Sequence, residues 1–232
     1  MRTPPLTILA ITLVFLVGCA SPTSAVAPSP TAAATATERV VIRPVTESGL
    51  PASGYSVTDH QGVTVDCGGT SGGTQPSPVA VDDNILSCSP TNVYAVACWI
   101  DPLPSTVICF RDPWATELVR LRNGGSTAPA TAPSDPRPLG LLLSDGDRCL
   151  LRTGGAWNDL ADHPGWYGTY SCAAGGAVWA ETSDGIDRSS PRWTVHIASI
   201  SGIGPLTSLE VATAYFIGTE KIGTEKIGTE KD

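Results

Sequence analysis

The stretch that decides the fold is VYAVACWI-DPLPS-TVICF, residues 93–110. Two runs of β-branched, aromatic and other apolar residues flank a proline-rich loop, a pattern typical of two strands joined by a short connection. Folding the stretch about the middle of the loop places Cys98 opposite Cys109 and Trp99 opposite Ile108. Apolar residues then occupy both faces, so we expect a β-hairpin buried inside the protein.

Shorter runs of the same kind recur along the chain, bounded by Gly, Pro, Asp or Ser. The 232 residues include 24 Gly and 20 Pro, and no long 3.6-residue period competes. The last run, Leu209–Ile217, alternates best, and Leu209, Val211, Thr213 and Tyr215 are predicted to share one face. The sequence therefore predicts an all-β protein made of two small, disulfide-stapled antiparallel lobes after a disordered tether.

Segments without a hydrophobic pattern divide the chain further. A tether rich in Ala, Ser, Thr and Pro cannot bury a core, and NGGSTAPATAPSDPRP is a second leash-like stretch. The predicted divisions are a signal peptide 1–18, a tether 19–38, a first β lobe 39–122, a linker 123–138, a second β lobe 139–218 and a tail 219–232.

The tail is compositionally unlike the rest of the chain. Ile-Gly-Thr-Glu-Lys occurs three times, from Ile217, Ile222 and Ile227, and these repeats contain all the lysines of the protein. A period of five gives neither a strand nor a helix a continuous apolar face. We interpret the repeats as a slipped coding sequence after the last strand, and expect disorder beyond Gly218.

The amino terminus has the features of an export signal. A positively charged start is followed by an apolar run from Leu6 to Val17, which is too short to span a bilayer. Leu16-Val17-Gly18-Cys19 then resembles the bacterial lipobox, which implies cleavage after Gly18 and a diacylglyceryl group on the Cys19 thiol. A plain secretory signal with an incidental cysteine is the alternative. With the anchor, the protein is expected at the cell membrane, facing the extracytoplasmic side.

The six remaining cysteines indicate three disulfides, because an even number in an exported protein is typical of a disulfide framework. The hairpin register pairs Cys98 with Cys109. Cys149 and Cys172 are the only cysteines beyond the linker, which leaves Cys67 with Cys88. A metal site is the competing interpretation, but the chain has no C-x-x-C and no His at ligand spacing from a Cys. No metal and no cofactor are therefore predicted.

Two segments carry candidate chemistry. Gly69-Thr70-Ser71-Gly72-Gly73 matches G-x-S-x-G, but no helix-forming sequence follows it, so a flexible loop explains it better than a nucleophile elbow. The second segment, 157–167, places Asp159, Asp162 and His163 on one side of a predicted helical turn. With Trp157 and Trp166 they could form a sugar-stacking or cation-binding surface. The alternative is a solvated loop whose indoles fill the core.

The formal charge of −8 excludes a basic face for phosphates, so nucleic-acid binding is not expected. Ala97-Cys98-Trp99 followed by Cys109-Phe110-Arg111-Asp112-Pro113-Trp114 resembles exported lipoproteins of mycobacteria and related actinobacteria. Tyr170-Ser171-Cys172 and Pro191-Arg192-Trp193 extend the likeness into the second lobe. The resemblance supports export and implies no catalytic residue.

These observations predict a membrane-anchored envelope lipoprotein that is a non-enzymatic binding or scaffold module. Its partners would be the membrane, through the lipid on Cys19, and a cell-wall glycan, a lipid or another envelope protein. The alternative is an envelope hydrolase acting on cell-wall glycan or lipid through Asp159, Asp162 or His163, or through Ser71.

Overall fold

A computed structural model describes residues 35–68, 74–91, 95–154, 159–181 and 184–221. These residues form twelve β-strands and no α-helix, which confirms the all-β prediction. No helix among them is long and apolar enough to cross a membrane. The strands are β1 (Glu38–Ile42), β2 (Ser56–Val65), β3 (Ala97–Ile100), β4 (Thr106–Phe110), β5 (Glu117–Asn123), β6 (Gly140–Leu143), β7 (Arg148–Leu151), β8 (Tyr167–Cys172), β9 (Gly176–Ala180), β10 (Ile186–Asp187), β11 (Thr194–Ser199) and β12 (Thr207–Ile217).

Six strands close into a barrel in the order β6, β7, β8, β9, β11 and β12. The long strand β12 closes the barrel, because it pairs with β6 and, through its first half, with β11. A bulge in β12 between Val211 and Thr213 shifts the register against β6. Val211, Ala214 and Phe216 consequently enter the same buried cluster. The predicted odd-numbered face of β12 is therefore wrong beyond the bulge, because one extra residue inverts the alternation.

A second sheet has four strands in the order β2, β5, β4 and β3. The hairpin of β3 and β4 has the predicted register, with Cys98 opposite Cys109 and Trp99 opposite Ile108. One face of this sheet contributes Trp99, Ile108 and Phe110 to a buried cluster, and the other face contributes Cys98, Val107 and Cys109 to a different one. Both faces are thus covered, as the apolar composition of the hairpin predicts.

The three predicted disulfides are present: Cys67–Cys88, Cys98–Cys109 and Cys149–Cys172. Cys149 and Cys172 are directly opposed on β7 and β8, as Cys98 and Cys109 are on β3 and β4. The pair Cys67–Cys88 lies beside the antiparallel bridge between Asp66 and Ser89. Each disulfide therefore joins two adjacent extended segments.

The two halves of the sequence also share structure, which the predicted β lobes left open. Strand β1 comes from the first half but pairs in parallel with β12 of the barrel, and β2 pairs in parallel with β5. One buried cluster combines Trp99 and Phe110 with Leu139 and Ile217. Parallel pairs join strands that are distant in sequence, so local patterns do not reveal them.

The predicted linker 123–138 begins on the last residue of β5, and its other residues, 124–138, contain no strand but are bound along the segment 74–84. Ala130 is buried, its N–H donates to the side chain of Asn84, and its carbonyl accepts from the N–H of Asn84. The N–H of Ala132 donates to Asp83 and that of Ala128 donates to Thr74. The segment therefore packs as an extended strap on the first half of the protein.

Both predicted outer boundaries lie within ordered structure. Thr37, assigned to the tether, donates its hydroxyl to the carbonyl of Val211 and its N–H to that of Pro191. At the other end, Thr219 and Glu220 form backbone hydrogen bonds, so order continues beyond Gly218. The signal peptide, the tether up to residue 34 and the tail from residue 222 lie outside the described residues.

Candidate functional site

The predicted helical turn after residue 157 is instead a tight non-helical turn on the outside of the barrel. The N–H of His163 donates to Leu160, and the N–H of Trp166 donates to His163. Leu160 is buried against Ala177, Trp179 and Ala198. The turn is tied to the β11–β12 loop, since Ala161 donates its N–H to the carbonyl of Gly202. The segment therefore covers the outer face of β9 and β11.

The candidate residues of this turn only partly converge. Asp159 and Asp162 are exposed, whereas the half-buried ring of His163 lies 4.9 Å from that of Trp166, centroid to centroid. His196 is exposed on β11 between Val195 and Ile197, and its ring lies 5.7 Å from that of Trp166 on the same measure. The result is a row of two imidazoles and one indole. Trp157, Ser71 and Cys19 lie outside the described residues.

A larger concave site lies elsewhere. It is a cleft of about 720 Å³ formed by four segments that are distant in sequence. These are the turn at 46–49, the segment 82–84, the end of β3 with the start of the next loop, and the segment that follows β12. The lining residues are Thr46, Glu47, Ser48, Gly49, Asp82, Asp83, Asn84, Trp99, Ile100, Asp101, Pro102, Thr219 and Lys221.

Gly49 brings the first turn onto the edge of the hairpin. Its φ of +78° is a left-handed conformation that glycine adopts without strain. A Cβ atom on Gly49 would lie 2.2 Å from the carbonyl oxygen of Ile100, so only glycine allows this approach. The turn is closed by the hydrogen bond from the N–H of Thr46 to the carbonyl of Leu50. One wall of the cleft therefore depends on this glycine.

Four carboxylates line the cleft, and some of their oxygens are already used. Asp101 is buried and binds Arg120 through one oxygen and the N–H of Leu103 through the other. One oxygen of Asp82 accepts from both Arg43 and the N–H of Thr219. These two carboxylates hold the walls together.

The other two carboxylates have oxygens available to a ligand. Asp83 uses Oδ1 to hold Ala132 of the strap, and Glu47 is exposed at the rim. Lys221 is the only cation among the lining residues, and Arg43 and Arg120 lie behind the wall on Asp82 and Asp101. The cleft thus offers hydrogen-bond acceptors beside the apolar surface of Ile100 and Pro102, and it favours a ligand that donates hydrogen bonds.

The clearest perturbation of side-chain ionisation is at Tyr170 of β8, which lies in the barrel and not in the cleft. Burial raises the pKa of the Tyr170 hydroxyl well above its ordinary value, and this hydroxyl donates to the carbonyl of Pro138. Burial opposes the charge of Arg188, but its hydrogen bonds with the buried Asp184 and the negative charges of Asp184 and Asp135 together outweigh that effect and raise its pKa. Both groups are engaged with protein partners, so their role is structural.

Among the residues that the structure describes, one cluster has the proximity that a metal site needs: Asp147, Cys149 and Cys172. The two sulfurs are bonded to each other in a disulfide, so neither is a thiolate ligand. The cluster is therefore explained by the disulfide.

The sequence did not single out the cleft. Residues 101–105 form the predicted hairpin loop, and Asp82 and Asp83 lie in a connection between strands without any chemical motif. No local signal marks the site, because its segments are distant in sequence and meet through tertiary contacts such as the bridge between Thr46 and Glu220 and the hydrogen bond from Trp99 to Thr219. The chain matches no protein-family model, and no curated protein or solved structure is significantly similar to it.

Proposed function

We propose that this protein is a lipid-anchored binding module that works on the extracytoplasmic side of the cell membrane without catalysing a reaction. Its ligand, on this proposal, is a hydroxyl- and amine-bearing cell-wall glycan that enters the cleft beside Glu47 and Asp83. The observation that carries the proposal is the cleft itself, which combines free carboxylate oxygens with an apolar rim. Sugars meet such a surface with donor hydroxyls and apolar ring faces.

Two features support the location. The lipobox around Cys19 follows a short apolar run, as in an exported lipoprotein. All six cysteines of the described residues are joined in disulfides. Disulfides persist in oxidising compartments outside the cytosol. The three disulfides therefore support the proposal that the protein folds after export.

The alternative function, an envelope hydrolase, has less support. Asp159 and Asp162 are exposed on the turn over β9, and neither lines the cleft. His163 contacts Trp166 and is not hydrogen-bonded to a described nucleophile or carboxylate. Ser71 lies outside the described residues. A base, a nucleophile and an orienting group that converge on one point would favour hydrolysis.

The anchor is tested by fractionating cells that express wild-type protein or Cys19→Ser. Wild-type protein should sediment with membranes and incorporate a labelled fatty acid, whereas Cys19→Ser should do neither. Ser21→Ala is the matched control, since it changes a neighbour of the cysteine and leaves the lipobox intact. Membrane association of Cys19→Ser equal to wild type would contradict the anchor.

The ligand is tested with full-length detergent-solubilised protein and insoluble cell-wall glycan. Retention of wild-type protein in the pellet should fall about tenfold in the double variant Glu47→Gln and Asp83→Asn, because each loses a charge that accepts ligand hydrogen bonds. Asp159→Asn with Asp162→Asn is the control and should bind as wild type. Loss of retention in the control alone would move the ligand to the turn over β9, and no retention of wild type would overturn the proposal.

A further inference from the structure

The first copy of the repeat is part of the folded protein. The sequence places Ile-Gly-Thr-Glu-Lys at 217–221, 222–226 and 227–231, and the first copy directly continues β12. It lies in a groove between the segment 42–47 that follows β1 and the segment 79–82. We call this surface the tail groove.

The first two residues of the repeat are tightly specified. Ile217 is fully buried in the core cluster that both halves share, and its N–H and carbonyl pair with Val79 and Val81. Gly218 is also buried, and a Cβ on it would lie 2.0 Å from the guanidinium of Arg43 and 2.6 Å from a carboxylate oxygen of Asp82. The groove therefore favours a large aliphatic residue followed by glycine, because a larger residue at the second position must displace the side chains of Arg43 and Asp82.

The next two residues are bound through polar groups. The hydroxyl of Thr219 accepts the indole N–H of Trp99 at 2.9 Å, and its N–H donates to Asp82 at 2.9 Å. The N–H of Glu220 donates to Val45, and its carbonyl accepts the N–H of Glu47. The tail groove thus reads the four residues Ile, Gly, Thr and Glu in order, with side-chain selectivity at the first three.

We propose that the tail groove is a recognition site for the Ile-Gly-Thr-Glu sequence, and that the second repeat, Ile222–Lys226, can replace the first within it. The two repeats are identical, so the second has every side chain that the groove binds in the first. Replacement leaves residues 217–221 as a five-residue loop after Phe216. The entropic cost of closing such a loop rises only slowly with its length. Docking of the first repeat needs no extra loop, so the first repeat is favoured whenever it is intact.

Exchange has a consequence for the cleft, whose wall contains Thr219 and Lys221. A chain with a damaged first repeat would rebuild this wall from Thr224 and Lys226. The surplus repeats would then act as spare copies of a docking segment. Exchange does not depend on the identity of the cleft's ligand.

The test compares glycine variants of the full-length chain by thermal unfolding. Gly218→Val blocks docking of the first repeat. The triple variant combines it with Gly223→Val and Gly228→Val, so it blocks docking of all three repeats without changing the length of the chain. We expect the triple variant to lose about 5 °C or more in Tm and the single variant less than about half of that. The double variant Gly223→Val with Gly228→Val is the control and should match wild type. Equal losses in the single and triple variants would overturn the proposal.

A milder series guards against variants that fail to fold. Thr219→Val removes the acceptor of the Trp99 indole proton, and Thr219→Val with Thr224→Val and Thr229→Val removes it from every copy. Exchange predicts that the Trp99 indole resonance, assigned with Trp99→Phe, retains a population at its wild-type shift only in the single variant. Its complete displacement in both would count against exchange. If the stability of the single variants rises with protein concentration and dimers are seen in sedimentation, the replacing repeat comes from a second molecule. That result would overturn replacement within one chain.

Discussion

The indole N–H of Trp99 donates a hydrogen bond of 2.9 Å to the hydroxyl of Thr219, a residue 120 positions further along the chain. Trp99 lies on β3 of the four-stranded sheet, and Thr219 follows β12 of the barrel. Both residues line the cleft. The shape of the cleft therefore depends on how the two sheets pack, and substitutions at its walls should be detectable as changes in stability.

The first prediction concerns Gly49. Gly49→Ala should destabilise the protein by about 3 kcal/mol or more, because it adds a backbone clash to the strain of a left-handed residue. Gly54→Ala is the matched control: its φ is +87°, but no atom lies within 4 Å of the added Cβ. It should cost only about 1 kcal/mol. Equal losses in urea denaturation would contradict the close approach of Gly49 to the carbonyl of Ile100.

The hairpin disulfide should contribute strongly to stability. Replacing both Cys98 and Cys109 with Ala should lower the free energy of unfolding by about 3 kcal/mol, mainly because the unfolded chain loses a constraint. The Cys67–Cys88 pair closes a span of 21 residues instead of 11, and its loss should cost a similar amount, since loop entropy varies slowly with length. A loss below about 1 kcal/mol for either pair would show that native strain cancels the constraint.

Two ion pairs should contribute differently to the free energy of unfolding, because they are buried to different extents. Asp184 has only 3% of its side chain exposed and binds Arg188 at 2.5 Å, whereas the Asp82–Arg43 pair is 27% and 40% exposed. Asp184→Asn should cost about 3 kcal/mol by leaving a partly buried guanidinium unpaired, and Asp82→Asn about 1 kcal/mol or less. Chemical denaturation at low and high salt checks both values. A salt-sensitive loss at Asp184 would argue against its burial.

Tyr170 should make the protein sensitive to alkaline pH. Burial raises the pKa of its hydroxyl in the folded state, so the folded protein holds this proton more tightly than the unfolded chain. The associated stability is fully present below the unfolded pKa of about 10 and is lost as the pH rises from there towards the folded value. Tyr170→Phe should be less stable at neutral pH, since the hydrogen bond to Pro138 is lost. Its stability should decline less steeply above pH 10, and parallel declines would contradict the assignment.

Local features of the fold were predictable. The register of the β3–β4 hairpin and the Cys98–Cys109 disulfide follow from two adjacent apolar runs and a short loop, because only a few residues separate the paired positions. The exposure of His196 follows from alternation with its neighbours. Asp145-Gly146-Asp147 is a local turn pattern as well, and it joins β6 to β7 with Gly146 in the left-handed conformation. In each case the pattern and its structural result lie within one hairpin or one strand.

The candidate site was not predictable in the same way. The bulge between Val211 and Thr213 inverts the alternation of β12. Asp159 and His163 lie on a turn whose shape is set by its packing on Trp179 and Gly202, and not by a helical pattern. A single extra residue or a tertiary contact outweighs local propensity, because burial of side chains contributes more than the intrinsic preference of a short segment.

By itself, the sequence determined that this chain is built from β-strands, that its cysteines pair, and where its first hairpin folds, because these properties depend on composition and on neighbours along the chain. Only the tertiary structure decided that β1 joins the barrel beside β12, and that Glu47, Asp83, Asp101 and Lys221 meet around one cleft. It also decided that the first Ile-Gly-Thr-Glu-Lys repeat is part of the folded protein, with Ile217 in the core. Each of these depends on contacts between residues far apart in the chain, whose energy comes from jointly buried surface that no local pattern encodes.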